Sequence, residues 1–133
     1  MGVTYQFRLD LKSGVPVYRQ LIDQVLVAIA AGQLNAGDQL PTVRQLAVEL
    51  SINPNTVVRA YKELEIRGML TTQQGTGTFI TTKKVKIDEA QRQKRLSQMV
   101  GEFVARVSAE GYTVNDIQER LSELSNDTGR GKV

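Results

Sequence analysis

Three polar side chains with complementary hydrogen-bonding groups are spaced for one face of a helix. Asn55, Arg59 and Lys62 stand at positions i, i+4 and i+7, and apolar side chains recur on a different face of the same segment. An Asn amide pairs with adenine through two hydrogen bonds, an Arg guanidinium does the same with guanine, and a Lys ammonium attracts phosphate. The spacing predicts a surface that reads base edges in duplex DNA; an ordinary solvated helix face is the alternative.

Local signals mark the start of this helix. Asn53 is a preferred N-cap residue, and Pro54 suits the first helical position because the N–H that it lacks has no partner there. Thr56 adds a hydroxyl that reaches a base or a phosphate. We predict a recognition helix over residues 53–67. Its expected DNA contacts are Asn53, Asn55, Thr56, Arg59 and Lys62.

A shorter helix is predicted immediately before it. Thr42 and Gln45 have the spacing of a capping box, and only a tight turn separates this helix from Asn53. Two helices joined in this way form a helix-turn-helix, whose second helix enters the major groove. Arg44, near the first turn, is expected to contact a phosphate that is also attracted to free backbone N–H groups. An ion pair with a nearby carboxylate is the alternative.

A β-hairpin is predicted after the recognition helix. Its strands cover residues 70–73 and 78–82, and glycines between them supply the backbone freedom of a tight turn. We call residues 73–80 the wing, whose small polar tip suits a close approach to the minor groove or the sugar–phosphate backbone. The wing residues expected to contact DNA are Gly75, Thr76 and Gly77.

Two elements are predicted ahead of the helix-turn-helix. Apolar and charged residues alternate over residues 5–11, which is typical of a short β-strand. Over residues 17–31 the apolar positions recur at helical spacing, and Gly32 follows as a helix-ending residue.

The rest of the chain predicts two helices, over about residues 89–109 and from Thr113, with frayed residues from Asn126. Each helix carries one apolar stripe, and two short helices alone make a very small core. Packing against a second copy buries the stripes more fully, so we predict a dimer. The expected dimer contacts are Leu96, Met99, Val100, Phe103, Val107, Ile117 and Leu121.

Other interpretations of this tail stay open. The stripes either bury themselves within one chain, or Met99 and Phe103 line a ligand pocket. The linker lysines are either a solubilising stretch or additional phosphate contacts: Lys83, Lys84 and Lys86. A small-molecule effector is left open, because no motif identifies one.

Composition argues against several classes of function. The 133 residues include no His and no Cys, which disfavours a zinc site or a catalytic triad. We predict no catalytic residue, no metal site, no cofactor and no enzyme activity. No apolar run reaches the roughly 18 to 20 residues of a membrane span, and no signal peptide opens the chain, so a cytoplasmic protein is expected. The net charge is only +3, so DNA binding depends on where the cations lie.

Four stretches together resemble one family. They are residues 40–47 (LPTVRQLA), 53–61 (NPNTVVRAY), 64–68 (LEIRG) and 75–79 (GTGTF). They resemble the GntR family of bacterial transcription regulators, over about residues 5–82. Residues 11–21 (LKSGVPVYRQL), the NPNT start and the short two-helix tail resemble its YtrA-type branch.

The resemblance implies a winged helix-turn-helix with DNA contacts from Arg44, the start of the recognition helix and Gly77. It also implies that the regulated genes encode membrane transporters, as is frequent in the YtrA-type branch. One position departs from the pattern, because many GntR proteins have Arg where this chain has Val58. Val58 is expected either to meet a thymine methyl group or to cover neighbouring side chains.

The expected fold is mostly α-helical with a small β-wing. Residues 1–83 are predicted to form a winged helix-turn-helix that binds DNA, and residues 84–133 a short two-helix dimerisation region. The expected function is that of a homodimeric repressor on a palindromic operator. The competing hypotheses are a winged helix that binds only protein, and an enzyme.

Overall fold

The computed structural model of the protein describes residues 5–81 and 88–131. The chain divides into two compact units, Met1–Lys83 and Lys84–Val133. In chain order, the elements of the described residues are α1 (Val17–Ala30), β1 (Gln39–Leu40), α2 (Val43–Leu50), α3 (Pro54–Ile66), β2 (Leu70–Gln73), β3 (Gly77–Ile80), α4 (Glu89–Ala109) and α5 (Val114–Gly131).

The first unit is built around the packing of α1 against α3, and α2 and the strands complete its apolar cluster. The buried side chains of α3 have the i, i+3, i+4 and i+7 spacing of one helix face: Val57, Ala60, Tyr61 and Leu64. Tyr61 also donates a hydrogen bond of 2.7 Å to the Pro41 carbonyl, and burial raises the pKa of its phenol well above the ordinary value. The opposite face of α3 is therefore free to carry function.

Local hydrogen bonds define the starts of α2 and α3, and a left-handed residue makes the turn between them. The predicted capping box is present: the Gln45 N–H donates to Thr42 Oγ1 at 3.1 Å, and the Thr42 N–H donates to Gln45 Oε1 at 3.0 Å. Ser51 takes a left-handed conformation with a φ of 57°, which redirects the chain in a very short space. Asn53 then begins α3 by accepting a hydrogen bond from the Asn55 N–H at 2.8 Å.

The wing belongs to a three-stranded antiparallel sheet with β3 in its centre. β2 has the predicted bounds, whereas β3 begins at Gly77 and ends at Ile80, so Thr81 is not part of it; Thr82, the last residue of the predicted strand, lies outside the described residues. β1 was not predicted, because two residues are too few to show alternation. Its pairing of Gln39 with Phe79 places a third strand beside the wing.

The predicted strand over residues 5–11 is wrong, since the structure assigns none of these residues to a strand. Instead of a neighbouring strand, the side chains of two glutamines of α1 form hydrogen bonds with the backbone of this segment. Gln24 Oε1 accepts from the Arg8 N–H at 2.9 Å, and the Gln24 amide donates to the Arg8 carbonyl. Gln20 bonds the N–H and the carbonyl of Asp10 in the same way, at 2.8 and 2.9 Å. Tyr5, Phe7 and Leu9 still pack against the core, whereas Leu11 at the end of the segment is 80% exposed.

The second unit contains α4 and α5, and none of its described side chains is fully buried. α4 has the predicted bounds. At the start of α5, the backbone N–H and then the hydroxyl of Thr113 donate to Asp116, and both bonds lower the pKa of its carboxyl. α5 continues to Gly131, past residue 126, from which the sequence predicts fraying. The polar residues there cost a helix only about 0.5 kcal/mol each relative to Ala.

Candidate nucleic-acid interface

The outward face of α3 brings together the polar side chains that the sequence singled out. Asn55, Arg59 and Lys62 are exposed, and Thr56 is half-buried in the first turn. In the part of the chain that the structure describes, no hydrogen bond or ion pair occupies any of these four side chains. Their donors and acceptors are therefore available to a ligand.

Asn53 lies at the start of the same helix but is partly committed to holding it. Its side-chain oxygen accepts the Asn55 N–H at 2.8 Å, which satisfies one of the free backbone donors of the first turn. The exposed amide group of Asn53 keeps its own N–H donors.

Arg59 makes an aromatic contact that sequence reasoning missed. Its Cζ atom lies 3.7 Å from the centroid of the Tyr18 ring, which belongs to the first turn of α1. A guanidinium over a tyrosine face at this distance makes a cation–π contact. Arg59 is thus both exposed to solvent and in contact with an aromatic ring. No spacing rule connects positions 18 and 59, because α1 and α3 meet only in the folded chain.

Two further side chains of the helix-turn-helix, Val58 on α3 and Arg44 on α2, are exposed to solvent. Val58 is 45% exposed, so a large part of its side chain is available to a methyl group of a ligand. Arg44 is exposed in the first turn of α2. The ion pairs among the described residues are Arg67–Glu63, Arg92–Glu89 and Arg120–Glu123, and none of them engages Arg44.

The wing tip is held by a residue that the sequence did not indicate. The side-chain amide of Gln39 donates to the Thr76 carbonyl at 3.2 Å. Gly77 makes room for this amide, since a Cβ at position 77 would lie 2.5 Å from Gln39 Nε2. Gly75 and Thr76 are exposed at the tip, and Gly77 is half-buried. Gln39 belongs to β1, the strand that the sequence did not predict. Its bond to the wing was missed for the same reason.

Several predicted features fall elsewhere. Lys83, Lys84 and Lys86 lie outside the described residues. Within residues 5–81 and 88–131, no cluster of three or more acidic, His or Cys side chains is arranged to hold a metal ion. None of the described helices is long and apolar enough to cross a membrane.

The second unit presents a surface of apolar side chains. Five of the seven predicted contacts on it are 44% to 55% exposed: Leu96, Met99, Val100, Phe103 and Leu121. Val107 and Ile117 are half-buried. An open groove of about 470 Å³ is lined by side chains of α4 and α5, among them Phe103, Val107, Ile117 and Leu121. One copy of the chain therefore covers these apolar stripes only in part.

The comparisons with known proteins agree on one family. Residues 17–80 match the family described as bacterial regulatory proteins, gntR family. The transcriptional regulator YhcF of Bacillus subtilis is 35% identical over 116 residues, which cover 87% of this chain and 95% of YhcF. The transcriptional repressor YtrA of the same organism is 32% identical over 125 residues, which cover 94% of this chain and 96% of YtrA. The chain belongs to the GntR family.

A solved GntR structure has the same fold. A GntR family transcriptional regulator from Listeria monocytogenes superimposes with a TM-score of 0.59 at 32% identity, covering 85% of this chain and 98% of that one. The predicted winged helix-turn-helix and the likeness to YtrA are thereby confirmed. As a GntR protein the chain is a DNA-binding transcriptional regulator, and its relatives are regulators rather than enzymes.

Proposed function

We propose that this GntR protein is a homodimeric repressor that binds a palindromic operator through α3 and the wing. One observation carries the proposal. Asn55, Arg59 and Lys62 project from a helix whose other face is buried in the core, and within the described residues no hydrogen bond or ion pair occupies their polar groups. Such a face matches the base edges and phosphates of a major groove.

Each side chain has an assigned role in this complex. Asn55, Thr56 and Arg59 read bases, because they carry the groups that pair with adenine, with either a base or a phosphate, and with guanine. Arg44 and Lys62 contact phosphates and set the position of the protein on the duplex. The Asn53 amide donates to the DNA beside the helix start that its oxygen caps. The wing tip, Gly75 to Gly77, lies along the minor groove or the backbone.

The tail supplies the two-fold symmetry of a palindrome. Residues such as Phe103 and Leu121 form an exposed apolar surface that an isologous dimer covers on both copies at once. Two copies then present two α3 helices to half-sites about 34 to 36 Å apart, which is one turn of DNA. Repression is proposed because the relative YtrA is named a repressor. We place the protein in the cytoplasm, because operator DNA lies there.

A selection from a randomised duplex library tests this function. We expect the purified protein to enrich a palindromic sequence and to bind it as a species of twice the chain mass. Arg59→Ala is expected to lose preference at one or two base pairs of each half-site, with a cost of roughly 1 to 3 kcal/mol per site.

Arg67→Ala is the matched control, because it removes the same charge from the end of the same helix. Arg67 is engaged with Glu63, and such an exposed pair contributes little to stability. Enrichment of no sequence by the wild-type protein contradicts the proposal. Equal losses on selected and random duplexes contradict the role of Arg59 as a base reader.

A further inference from the structure

We infer that Tyr18 is a positioning residue for DNA recognition, whose ring holds the Arg59 guanidinium in the orientation from which it reads a base pair. The inference rests on the proposed function. It extends the interface to α1, which neither the helix-turn-helix nor the wing includes. The observation behind it is the distance of 3.7 Å between Arg59 Cζ and the centroid of the Tyr18 ring.

The ring is itself held in place. Tyr18 is half-buried and packs against the apolar cluster of the first unit, beside the α1–α3 contact. A free Arg side chain samples many rotamers and loses that freedom when it binds. A guanidinium already held on a fixed ring has less freedom to lose, so its base contact forms at a smaller entropic cost.

The contact leaves the hydrogen-bonding groups of Arg59 free. All five N–H donors of a guanidinium lie in its plane, and a ring that engages the face does not consume them. The carboxylate one helical turn further along, that of Glu63, is paired with Arg67 at 3.1 Å. None of the ion pairs among the described residues includes Arg59, so no acidic side chain there already occupies its guanidinium.

A purely structural role for Tyr18 is the alternative, because the ring also packs between two helices. Two substitutions separate the roles. Tyr18→Phe keeps the ring and removes only the hydroxyl, whereas Tyr18→Leu keeps an apolar side chain and removes the ring. Circular dichroism and thermal unfolding establish that each variant is folded before its DNA binding is compared.

The measurement is the dissociation constant of each variant for the duplex that the wild-type protein selects from a random library, and for a scrambled duplex of equal length. Tyr18→Leu is expected to weaken binding to the selected duplex about 2- to 30-fold, which is the range of a cation–π contact. The scrambled duplex and the salt dependence are expected to change little, since phosphate contacts are untouched. Tyr18→Phe is expected to bind as the wild type does.

Two further readouts tie the effect to Arg59. The double variant Tyr18→Leu/Arg59→Ala is expected to bind no more weakly than Arg59→Ala alone, because Tyr18 acts through that residue. The NMR signals of the Arg59 Cδ protons are expected to be shifted by the ring in the free wild-type protein and unshifted in Tyr18→Leu.

The inference is overturned if Tyr18→Leu selects and binds DNA like the wild type, if it weakens both duplexes equally, or if the double variant is weaker than Arg59→Ala. A failure of the proposed function is distinct from all three. In that case the wild-type protein itself enriches no sequence, and the function and the inference fall together.

Discussion

At the scale of single residues, two glycines of the wing have different tasks. Gly75 has a φ of +80°, and a Cβ there meets nothing within 4 Å, so only the turn conformation requires glycine. Gly77 has a φ of +138° and borders the Gln39 side chain that bonds to the Thr76 carbonyl. A side chain at position 77 therefore meets both an unfavourable backbone conformation and an occupied space.

Gly77→Ala is expected to destabilise the first unit by about 1 to 3 kcal/mol, and Gly75→Ala by about 1 kcal/mol. The Gln39 amide is the flexible end of a side chain, so it is expected to swing away in Gly77→Ala and to lose its bond to Thr76. Thermal unfolding measures the two costs. Equal costs at the two positions contradict the role of Gln39.

Arg59 and Val58 also show what one residue step changes. Position 58 is exposed and apolar, whereas Arg59 reaches the ring of Tyr18 on α1. A base contact assigned from the family pattern at position 58 thus has no cation here. The neighbouring cation, Arg59, instead contacts the ring of Tyr18. Variants of both residues are therefore needed to test whether Arg59 reads a base.

At the scale of elements, the N-terminal segment shows how a helix can take the place of a strand. Four residues of a helix rise about 6.0 Å, and two residues of an extended chain span about 6.6 Å. Gln20 and Gln24 are four apart on α1, and Asp10 and Arg8 are two apart on the segment. The two spacings match closely enough for each glutamine to bond both backbone groups of one residue.

Gln24→Leu is expected to loosen this segment, because it removes both bonds to Arg8 while keeping the side-chain size. Two lost hydrogen bonds in a partly solvated place cost about 1 to 2 kcal/mol. Hydrogen exchange is expected to accelerate at the Arg8 amide.

Gln6→Leu is the control, since Gln6 is exposed in the same segment and its side chain has no hydrogen bond within the described residues. Unchanged exchange at Arg8 in Gln24→Leu contradicts this account of the segment.

At the scale of the whole molecule, the proposed dimer makes the tail responsible for bringing two recognition helices to the DNA. Its helices leave residues such as Phe103 and Leu121 about half exposed in a single chain. Exposed apolar surface of this kind frequently marks a site of association with another protein chain. We propose that dimerisation covers this surface. The affinity for a palindromic operator then depends on the contact between the two tails.

Phe103→Asp is expected to convert the dimer to a monomer, because it places a charge in the centre of the proposed contact. Binding to a palindromic duplex is expected to fall at least about 10-fold, while binding to a single half-site stays unchanged. Light scattering and DNA titration measure the two effects.

Ala105→Asp is the control, since it adds the same charge on an exposed position of another face of α4. A Phe103→Asp protein that stays dimeric contradicts the assignment of this surface.

The sequence alone determined the features that depend on neighbouring residues. The capping box of Thr42 and Gln45, the start of α3 at Asn53 and the bounds of α4 follow from contacts a few residues apart, which a linear pattern records. The exposed polar face of α3 followed from the same helical period, and the family strings placed it in a winged helix.

Tertiary structure alone decided the features that join distant parts of the chain. The contact of Tyr18 with Arg59, the bond from Gln39 to Thr76 and the glutamines that replace a strand partner connect residues 10 to 41 positions apart. Each depends on how helices and strands come together around the core, and no local period encodes that arrangement. For the same reason, alternation over residues 5–11 predicted that Phe7 and Leu9 turn inward, but it was wrong for Leu11 and did not show what satisfies the backbone of the segment.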